Sequence, residues 1–256
     1  GRDICQDLSR RDFTVNTLAV DLREISGARR LEDILIDKSS AVQDIKKKVI
    51  RAVSGDSFVD DPLRILRAFS LSAVLDFKIE LGTEKLIRKY RDKLCSSAFE
   101  RITEELFKAL NSENAFRTFK HMDETGVLDE LFPEIKPMRR MNQGPYHHLD
   151  VYQHSLETLK QMERLLPDLK SDRDIQVYLN GVISGVRTRR ALLKLAAFLH
   201  DVGKPVSKRR IKAKICFHGH EKTGRNIVRG ISDRLRLSGD ERGALDRIIF
   251  WHLRPG

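Results

Sequence analysis

The sequence predicts a mainly α-helical protein with a short β segment near its N-terminus. Apolar residues recur at helical spacing through most of the chain after about residue 41, whereas two runs rich in apolar and β-branched residues lie around residues 14–37. The chain has 256 residues, of which 40% are hydrophobic, so a packed core can form and wholesale disorder is excluded. At roughly 100–150 residues per domain, this length suggests about two domains.

The β segment is typical of a hairpin. The runs FTVNTLAVDL and RLEDILID lie on either side of the polar stretch REISGAR, which contains a serine–glycine pair. Turn-forming residues between two such runs are a common hairpin signal. We therefore predict two paired strands in this part of the chain.

Helices are predicted for the rest of the first half. Apolar spacing indicates one helix from about residue 41 to 53 and a strongly apolar helix over 63–75. SSAFERITEELFKAL (96–110) predicts another, with an opening serine and Glu100 as a capped start. Further helices are expected up to Leu131.

A proline-rich segment separates the two halves. FPEIKPMRRMNQGPYHH (132–148) contains three prolines, a glycine and little periodicity, so we predict a domain boundary there. Residues 167–187 are predicted to be a polar connection. The helices predicted beyond the boundary are 151–166, 189–202, an arginine-rich stretch ending at Leu237, and 239–253.

The positive charge of the chain is clustered. Lys and Arg number 48 against 37 Asp and Glu, a net charge of +11, and basic runs lie at 46–51, 187–190 and 203–214. Such runs favour a polyanionic partner, nucleic acid first, although an ordinary charged surface gives the same pattern. We expect an anionic ligand.

Cysteine content and hydropathy exclude several protein classes. The three cysteines are far apart and form no CxxC pair, which excludes a disulfide scaffold and a cysteine-rich zinc site and fits a reducing, cytoplasmic compartment. No apolar run approaches the roughly 20 residues that span a bilayer, and the polar N-terminus is unlike a signal peptide. We expect no membrane partner.

Histidines on separate predicted helices form the clearest candidate site. His200 and Asp201 are adjacent at the end of the apolar helix LLKLAAFLHDVGKP, where an ionisable pair is costly to bury unless it binds metal or is hydrogen-bonded. Gly203 and Pro205 are expected to end this helix and leave the pair accessible. A single histidine is more often structural, but an ordered set is more specific, and imidazole and carboxylate suit divalent metals. The set is His154, His200, Asp201, His220 and His252.

This ordered set resembles the HD phosphohydrolase superfamily over about residues 146–256. The resemblance implies that the set holds one or two divalent metals, such as Ni²⁺, Mn²⁺ or Zn²⁺, which activate water for attack on a phosphoester. It also implies that Lys204 binds the substrate phosphate. The superfamily usually adds an aspartate on a last helix. No obvious candidate precedes Gly256, so either the site is incomplete here or its last ligand lies further on.

Segments of the first half carry a second resemblance. In order, they are SRRDFTVNTLAVD, KKKVIRAV, FVDDPLRILRAF, ERITEEL and TGVLDELFPEI. Their order and spacing resemble the bacterial class II tRNA nucleotidyltransferase and poly(A) polymerase family of the polymerase-β superfamily. The resemblance implies the C-terminal part of a nucleotidyltransferase head at 1–55, a helical neck and body that bind nucleobase and RNA at 56–140, and an all-α HD domain at 141–256.

In this family the motif RRDFTVN holds the ribose and triphosphate of the incoming nucleotide, which implies that role for Arg11, Asp12 and Asn16. The chemistry is suitable, because a guanidinium matches phosphate with two parallel hydrogen bonds while Asp and Asn pair with sugar hydroxyls. An ion pair at a strand edge would explain the same residues without a ligand.

The motif DDPLRILR implies a pair that reads the base. Asp61 and Arg64 are three residues apart, so on one helix face both would point at one ligand. Their acceptor and donor groups imitate the Watson–Crick partner of C or A, so that protein replaces a nucleic-acid template. Arg67 would orient Asp61 or contact phosphate. An ordinary ion pair along the helix is the alternative.

Two departures from the family pattern stand out. The glycine-rich turn after the second strand is IDKSSAVQD (36–44) here and has no glycine, so this element is expected to be stiffer. Nucleotidyl transfer also needs two carboxylates that hold two Mg²⁺ ions, and the family supplies them as Asp-x-Asp upstream of RRDFT. That pair is not found before Arg10, so we expect the transferase carboxylates to precede Gly1.

Taken together, the resemblances imply transfer of a nucleotide from CTP or ATP to the 3′ end of tRNA or another RNA, with Mg²⁺. They also imply phosphoester hydrolysis at the HD site, with 2′,3′-cyclic phosphates as one substrate. CCA, A-only, CC-only and poly(A) addition share these motifs. Two other functions remain open: an HD phosphohydrolase with a degenerate head, and a non-catalytic RNA-binding module.

Overall fold

The computed structural model describes residues 3–25, 30–144, 148–169, 172–211 and 214–254. The chain divides into two compact units, residues 1–97 and 98–256. Helices predominate in both, as predicted, and the strands are short and paired two by two. The division falls inside the predicted neck and body, and the predicted domain ranges stay predictions.

The first unit opens with a helix and the predicted hairpin. Helix α1 spans Ile4–Ser9, and a 3₁₀ turn at Thr14–Asn16 leads into β1, Leu18–Val20, which pairs antiparallel with β2, Leu35–Asp37. The predicted pairing is confirmed, although the first strand is shorter than the sequence run because its start forms the 3₁₀ turn. Residues 26–29 of the predicted turn lie outside the described residues.

A parallel strand pair replaces part of the first predicted helix. Helix α2 covers only Ala41–Lys46, after which Lys48 takes a left-handed backbone conformation (φ 55°). The next strand, β3 (Val49–Ile50), pairs in parallel with β4 (Lys78–Ile79). The prediction of one helix from 41 to 53 is therefore wrong beyond Lys46, because a strand distant in sequence pairs with the residues that follow.

Three helices complete the first unit. Helix α3 spans Ser57–Asp60, α4 spans Leu63–Leu75 and α5 spans Leu81–Tyr90. Helix α4 confirms the predicted apolar helix. The fully buried rings of Phe13 and Phe58 lie 6.4 Å apart in the core of this unit.

The second unit is an array of helices with two small antiparallel hairpins. The hairpins are β5–β6 (Val182–Ser184 and Arg187–Thr188) and β7–β8 (Arg209–Ile211 and Lys214–Cys216). The helices are α6 (Phe99–Asn111), α7 (Ala115–Thr125), α8 (Val127–Leu131), α9 (Val151–Asp168), α10 (Arg173–Asn180), α11 (Arg189–Leu199), α12 (Lys204–Ser207), α13 (His220–Arg234) and α14 (Gly239–Trp251).

Helix α11 lies at the centre of this unit and packs against α6, α9 and α14. Near its end, the Phe198 ring contacts the rings of Phe119, Phe132 and Tyr152 edge-on, with centroid distances of 5.1, 6.0 and 6.4 Å. Phe132 precedes a 3₁₀ helix at Pro133–Met138. The proline-rich segment is therefore part of the packed core as far as Met138, which is fully buried.

The predicted helices of the second unit are confirmed, with corrections at their ends. Helix α6 begins after Ala98, which makes no side-chain cap, so the predicted serine cap is wrong. Helix α11 ends at Leu199, before Gly203, and Pro205 lies in the first turn of α12, where its missing N–H is not needed. The polar connection contains α10 and β5. Among the described residues, no helix is long and apolar enough to span a membrane.

Candidate metal centre and nucleotide-binding site

The five predicted metal ligands come together in the second unit. His154 lies near the start of α9, His200 and Asp201 follow α11, His220 begins α13 and His252 follows α14. Asp201 lies at the centre of the group, with only 2% of its surface exposed. Four helices therefore direct one end each toward a single buried carboxylate.

The two carboxylate oxygens of Asp201 face different pairs of imidazoles. Oδ2 lies 3.1 Å from His200 Nε2 and 3.6 Å from His154 Nε2. Oδ1 lies 3.3 Å from His220 Nε2 and 3.8 Å from His252 Nε2. Within each group, the potential ligand atoms lie within 4.8 Å of one another. The arrangement has the form of two adjoining sites that share one carboxylate.

Backbone carbonyl groups orient three of these imidazoles. Nδ1 of His200, His220 and His252 lies 2.9, 2.7 and 2.6 Å, respectively, from the carbonyl oxygen three residues earlier. A carbonyl oxygen can only accept, so each Nδ1 carries the hydrogen and each Nε2 is directed at the site. Hydrogen bonds of this kind hold metal-ligating histidines in place.

The donor set fits a divalent cation. Nε2 of His220 and Nε2 of His252 lie 3.2 Å apart, and both Nδ1 atoms already carry hydrogen. Two lone pairs at this separation repel unless a proton or a metal ion lies at one of them. Neutral imidazole together with carboxylate suits Mn²⁺, Ni²⁺ and Zn²⁺. The residues present are therefore able to hold such an ion.

The electrostatics of the site favour an ionised Asp201. Burial raises the pKa of its carboxyl, but the facing imidazoles of His200 and His220 and the charge of Lys204 outweigh burial and hold the pKa far below its usual range. Burial would lower the pKa of His220, yet the nearby Asp201 carboxylate raises it. Burial lowers the pKa of His252. The site thus presents an anion surrounded by imidazoles.

Lys204, the predicted phosphate-binding residue, lies beside this group. Its Nζ is 2.7 Å from Asp201 Oδ2. A cleft of about 690 Å³ begins at Lys204 and His220, and its walls include the cations Lys222 and Arg254. The cleft gives a ligand access to one side of the site, and its positive charge favours an anion.

Two residues of this site, Gly224 and Gln143, were missed by the sequence analysis. A Cβ at Gly203 would lie 2.1 Å from the His220 carbonyl oxygen and 2.4 Å from the Gly224 nitrogen, so Gly224 and Gly203 together allow the Asp201 loop to approach α13. Gln143 Oε1 accepts a hydrogen bond from Lys204 Nζ at 2.6 Å. No local pattern indicates Gln143, because its partner lies 61 residues further along the chain.

In the first unit, Asp12 is the centre of the predicted nucleotide-binding residues. Its Oδ1 accepts hydrogen bonds from Asn16 Nδ2 at 3.0 Å and from the Phe13 amide at 2.8 Å, and its Oδ2 accepts one from Arg67 Nε at 2.7 Å. Burial raises the pKa of Asp12, but the Asn16 hydrogen bond and the Arg67 charge bring it below its usual value. The structure therefore joins Arg67 to Asp12, a partner that the sequence analysis did not name.

The guanidinium groups of Arg11 and Arg64 have protein partners. Arg11 Nη2 lies 2.7 Å from Asp7 in an exposed pair. Arg64 Nη1 donates to Ser57 Oγ at 3.0 Å, and its Nη2 donates to the Arg10 carbonyl oxygen at 2.8 Å. Arg64 thus connects the start of α4 to the RRDFTVN motif.

Asp61 precedes α4 and does not lie on it. Its backbone is extended (φ −144°), and its Oδ1 accepts a hydrogen bond from the Leu63 amide at 3.2 Å. The prediction that Asp61 and Arg64 share one helix face is therefore wrong, because the helix begins only after Pro62. The two residues still share one turn, in which the Arg64 amide donates to the Asp61 carbonyl oxygen at 3.0 Å.

Three family models match the chain. Their descriptions are poly A polymerase head domain for residues 1–51, probable RNA and SrmB-binding site of polymerase A for residues 76–139, and HD domain for residues 151–256. The HD match contains Asp201 and the four histidines around it, and the head match contains Arg11, Asp12 and Asn16.

Curated relatives are named as tRNA nucleotidyltransferases. The chain is 36% identical over 240 residues to the A-adding tRNA nucleotidyltransferase of Deinococcus radiodurans. The aligned region covers 91% of this chain and 49% of that protein. It is 34% identical over 209 residues to the CC-adding tRNA nucleotidyltransferase of Geobacter sulfurreducens. That alignment covers 80% of this chain and 44% of the relative. The chain therefore spans about half the length of the curated relatives it matches.

A solved structure of a CCA-adding enzyme with ATP has a similar fold. The TM-score is 0.61 at 25% identity, over 96% of this chain and 46% of that one. Fold and matches together define a polymerase-type head segment that is followed in sequence by helices matching the RNA-binding-site model and by an HD domain. These matches agree with the predicted resemblance to the tRNA nucleotidyltransferase and poly(A) polymerase family.

Proposed function

We propose that the protein containing this chain transfers nucleotides from CTP or ATP to the 3′ end of tRNA or another RNA, with Mg²⁺ as the metal of that reaction. The names of its relatives support this activity. The structural observation that carries the proposal is the Asp12 cluster, in which Asn16 and Arg67 hold a buried carboxylate in one orientation. Such preorganisation is what a nucleotide-binding motif requires.

Arg11, Asp12 and Asn16 bind the ribose and triphosphate in this proposal. The Arg11–Asp7 pair is exposed, and an exposed pair contributes only about 0–1 kcal/mol. Arg11 therefore exchanges Asp7 for a phosphate group at little cost. Arg67 keeps Asp12 ionised and oriented.

Asp61 and Arg64 select the base in this proposal. Both lie in the turn that starts α4, so one ligand can meet the carboxylate and the guanidinium. Because a carboxylate accepts and a guanidinium only donates, the pair distinguishes bases by their hydrogen-bonding edge.

Nucleotide incorporation by the full-length protein tests the transferase proposal. A tRNA that lacks its 3′-terminal nucleotides is incubated with each labelled NTP and Mg²⁺. We expect the product to be extended with C, A or both, and its sequence decides between A-only, CC-only and CCA addition. A tRNA of unchanged length with every NTP contradicts the proposal.

We also propose a metal-dependent phosphohydrolase activity at His154, His200, Asp201, His220 and His252. The observation that carries it is the division of the two Asp201 oxygens between two pairs of imidazoles. A divalent metal bound there would supply a polarised water for attack on phosphorus. Lys204 neutralises charge on the phosphate, and the adjoining cleft admits the rest of the substrate.

Metal reconstitution tests the phosphohydrolase proposal. The purified chain is freed of metal with a chelator and then supplied with Ni²⁺, Mn²⁺ or Zn²⁺, with p-nitrophenyl phosphate and a 2′,3′-cyclic nucleotide as substrates. We expect hydrolysis to return with at least one metal and to be absent in Asp201→Asn. If none of these metals supports hydrolysis of either substrate, the proposal is contradicted. Hydrolysis without nucleotide incorporation by the full-length protein favours an HD enzyme with a degenerate head.

A further inference from the structure

The ammonium group of Lys204 is held between a buried carboxylate and a buried amide. Its Nζ lies 2.7 Å from Asp201 Oδ2 and 2.6 Å from Gln143 Oε1. Asp201 is 2% exposed and Gln143 is 6% exposed, so little water competes for the ammonium from either side. The flexible lysine side chain is therefore held in one position from two directions.

Asp201 and Gln143 differ in charge, and this difference decides how much of the positive charge of Lys204 remains available to a ligand. Asp201 is an anion that four imidazoles already share. Gln143 is neutral, so it fixes the ammonium without cancelling its charge. An ammonium only donates, which requires that the amide oxygen of Gln143 faces it. The amide nitrogen of Gln143 then donates to the Leu149 carbonyl oxygen at 3.3 Å, just before α9.

Gln143 and Lys204 line the same cleft as Lys222 and Arg254. We propose that Gln143 is a positioning residue that holds the Lys204 ammonium at the wall of this cleft, where it receives a phosphoryl oxygen of the ligand. This inference rests on the proposed phosphohydrolase function and adds to it the residue that places the phosphate-binding cation. Gln143 acts only through Lys204 and does not itself touch the substrate.

A double-mutant cycle tests this role with inorganic phosphate as the probe. Calorimetry measures phosphate binding to the chain with and without Mn²⁺, for wild type, Gln143→Leu, Lys204→Met and the double variant. We expect Gln143→Leu to weaken phosphate binding about tenfold when Lys204 is present, since a hydrogen bond to a charged group is lost. With Lys204→Met, the same change should alter binding less than twofold. Equal effects in both backgrounds, or no phosphate binding by the wild type, overturn the inference.

Further variants separate positioning from folding. Gln161→Leu is the matched control, because Gln161 contacts Glu157 on the exposed side of α9, and it should leave phosphate binding unchanged. Gln143→Met keeps the length of the side chain but removes its amide, so it should also weaken phosphate binding only when Lys204 is present. This variant replaces Gln143→Leu in the cycle if the leucine variant does not fold.

The same proteins distinguish this inference from the phosphohydrolase proposal. For any substrate that the wild type hydrolyses, Gln143→Leu should raise KM about tenfold and change kcat less. If phosphate binds with the expected coupling but no metal supports hydrolysis, the inference stands and the phosphohydrolase proposal fails. If hydrolysis occurs and Gln143→Leu changes phosphate binding equally with and without Lys204, the phosphohydrolase proposal stands and the inference about Gln143 fails.

Discussion

Arg67 and Asp12 form an ion pair that joins residues 55 positions apart in the first unit. Arg67 Nε and Nη2 both lie 2.7 Å from Asp12 Oδ2. The pair connects the RRDFTVN motif to α4, the helix that Asp61 precedes. The elements proposed to bind the triphosphate and to read the base are thus mechanically linked.

Loss of Arg67 should destabilise the first unit in a pH-dependent way. Arg67→Met leaves the buried Asp12 carboxylate with fewer partners, and we expect the free energy of unfolding at pH 7 to fall by about 1–2 kcal/mol. The folded pKa of Asp12 is lowered, so the stabilisation is present above its unfolded value of about 3.9 and is lost as pH falls through the folded value. Urea denaturation at several pH values measures both effects.

The exposed Arg11–Asp7 pair provides the control for this prediction. Asp7→Asn should change stability by less than about 0.5 kcal/mol at any of these pH values, because solvent screens the pair. If Arg67→Met has an equally small effect, or one that persists at the lowest pH, the ion pair does not stabilise the unit as described.

Asp201→Asn should abolish high-affinity metal binding. The variant keeps the shape of the side chain but loses the charge that both groups of imidazoles share. We expect affinity for Mn²⁺ or Ni²⁺ to fall at least about 100-fold, since loss of a group that only orients a ligand already costs about 10–100-fold. Isothermal titration calorimetry gives the affinities.

Asp246→Asn is the matched change outside the site. Asp246 pairs with Arg229 at 2.9 Å and lies away from the group around Asp201 in the described residues. The metal affinity of the Asp246→Asn variant should match that of the wild type. Equal affinity for all three proteins would show that the metal, if bound, is held elsewhere.

A methyl group at Gly203 should disturb the metal centre. The added Cβ would meet backbone atoms of His220 and Gly224 at 2.1–2.4 Å, so the Asp201 loop must move away from α13. We expect Gly203→Ala to lower the free energy of unfolding by about 1–3 kcal/mol and to weaken metal binding. Thermal unfolding with and without metal measures both.

Gly230→Ala, within α13, is the contrasting change. A Cβ at Gly230 meets nothing within 4 Å, and alanine is favoured over glycine in a helix by about 0.5–1 kcal/mol. Gly230→Ala should therefore be stabilising. If Gly203→Ala raised the free energy of unfolding as Gly230→Ala is expected to, the close approach of the Asp201 loop to α13 would be contradicted.

Removal of Asp61 and Arg64 should relax nucleotide choice. In the full-length protein, Asp61→Ala combined with Arg64→Ala removes both groups that are proposed to read the base. We expect the ratio of incorporation of C or A over G or U to fall at least about tenfold, because side-chain hydrogen bonds to a base edge contribute about 1–3 kcal/mol of discrimination. Asp60→Ala is the control and should keep the wild-type ratio. Unchanged discrimination in the double variant would refute the base-reading role.

The sequence by itself predicted the family resemblance, most of the helices and the residues that gather around Asp201. Apolar side chains that repeat every three or four residues predicted α4, α9 and α14 correctly, because a helix buries its own periodic face whatever it packs against. The His-Asp pair was recognisable for a similar reason, since a polar dipeptide after a long apolar run needs a special environment.

Only the tertiary structure decided which distant residues meet. The strand pair β3–β4, the Arg67–Asp12 ion pair and the contact between Gln143 and Lys204 each join segments widely separated in the chain. A two-residue strand has no detectable period, and a buried polar side chain selects its partner by position in space rather than by spacing in sequence. The order of residues therefore encoded the elements of the site, while packing of those elements determined its hydrogen bonds.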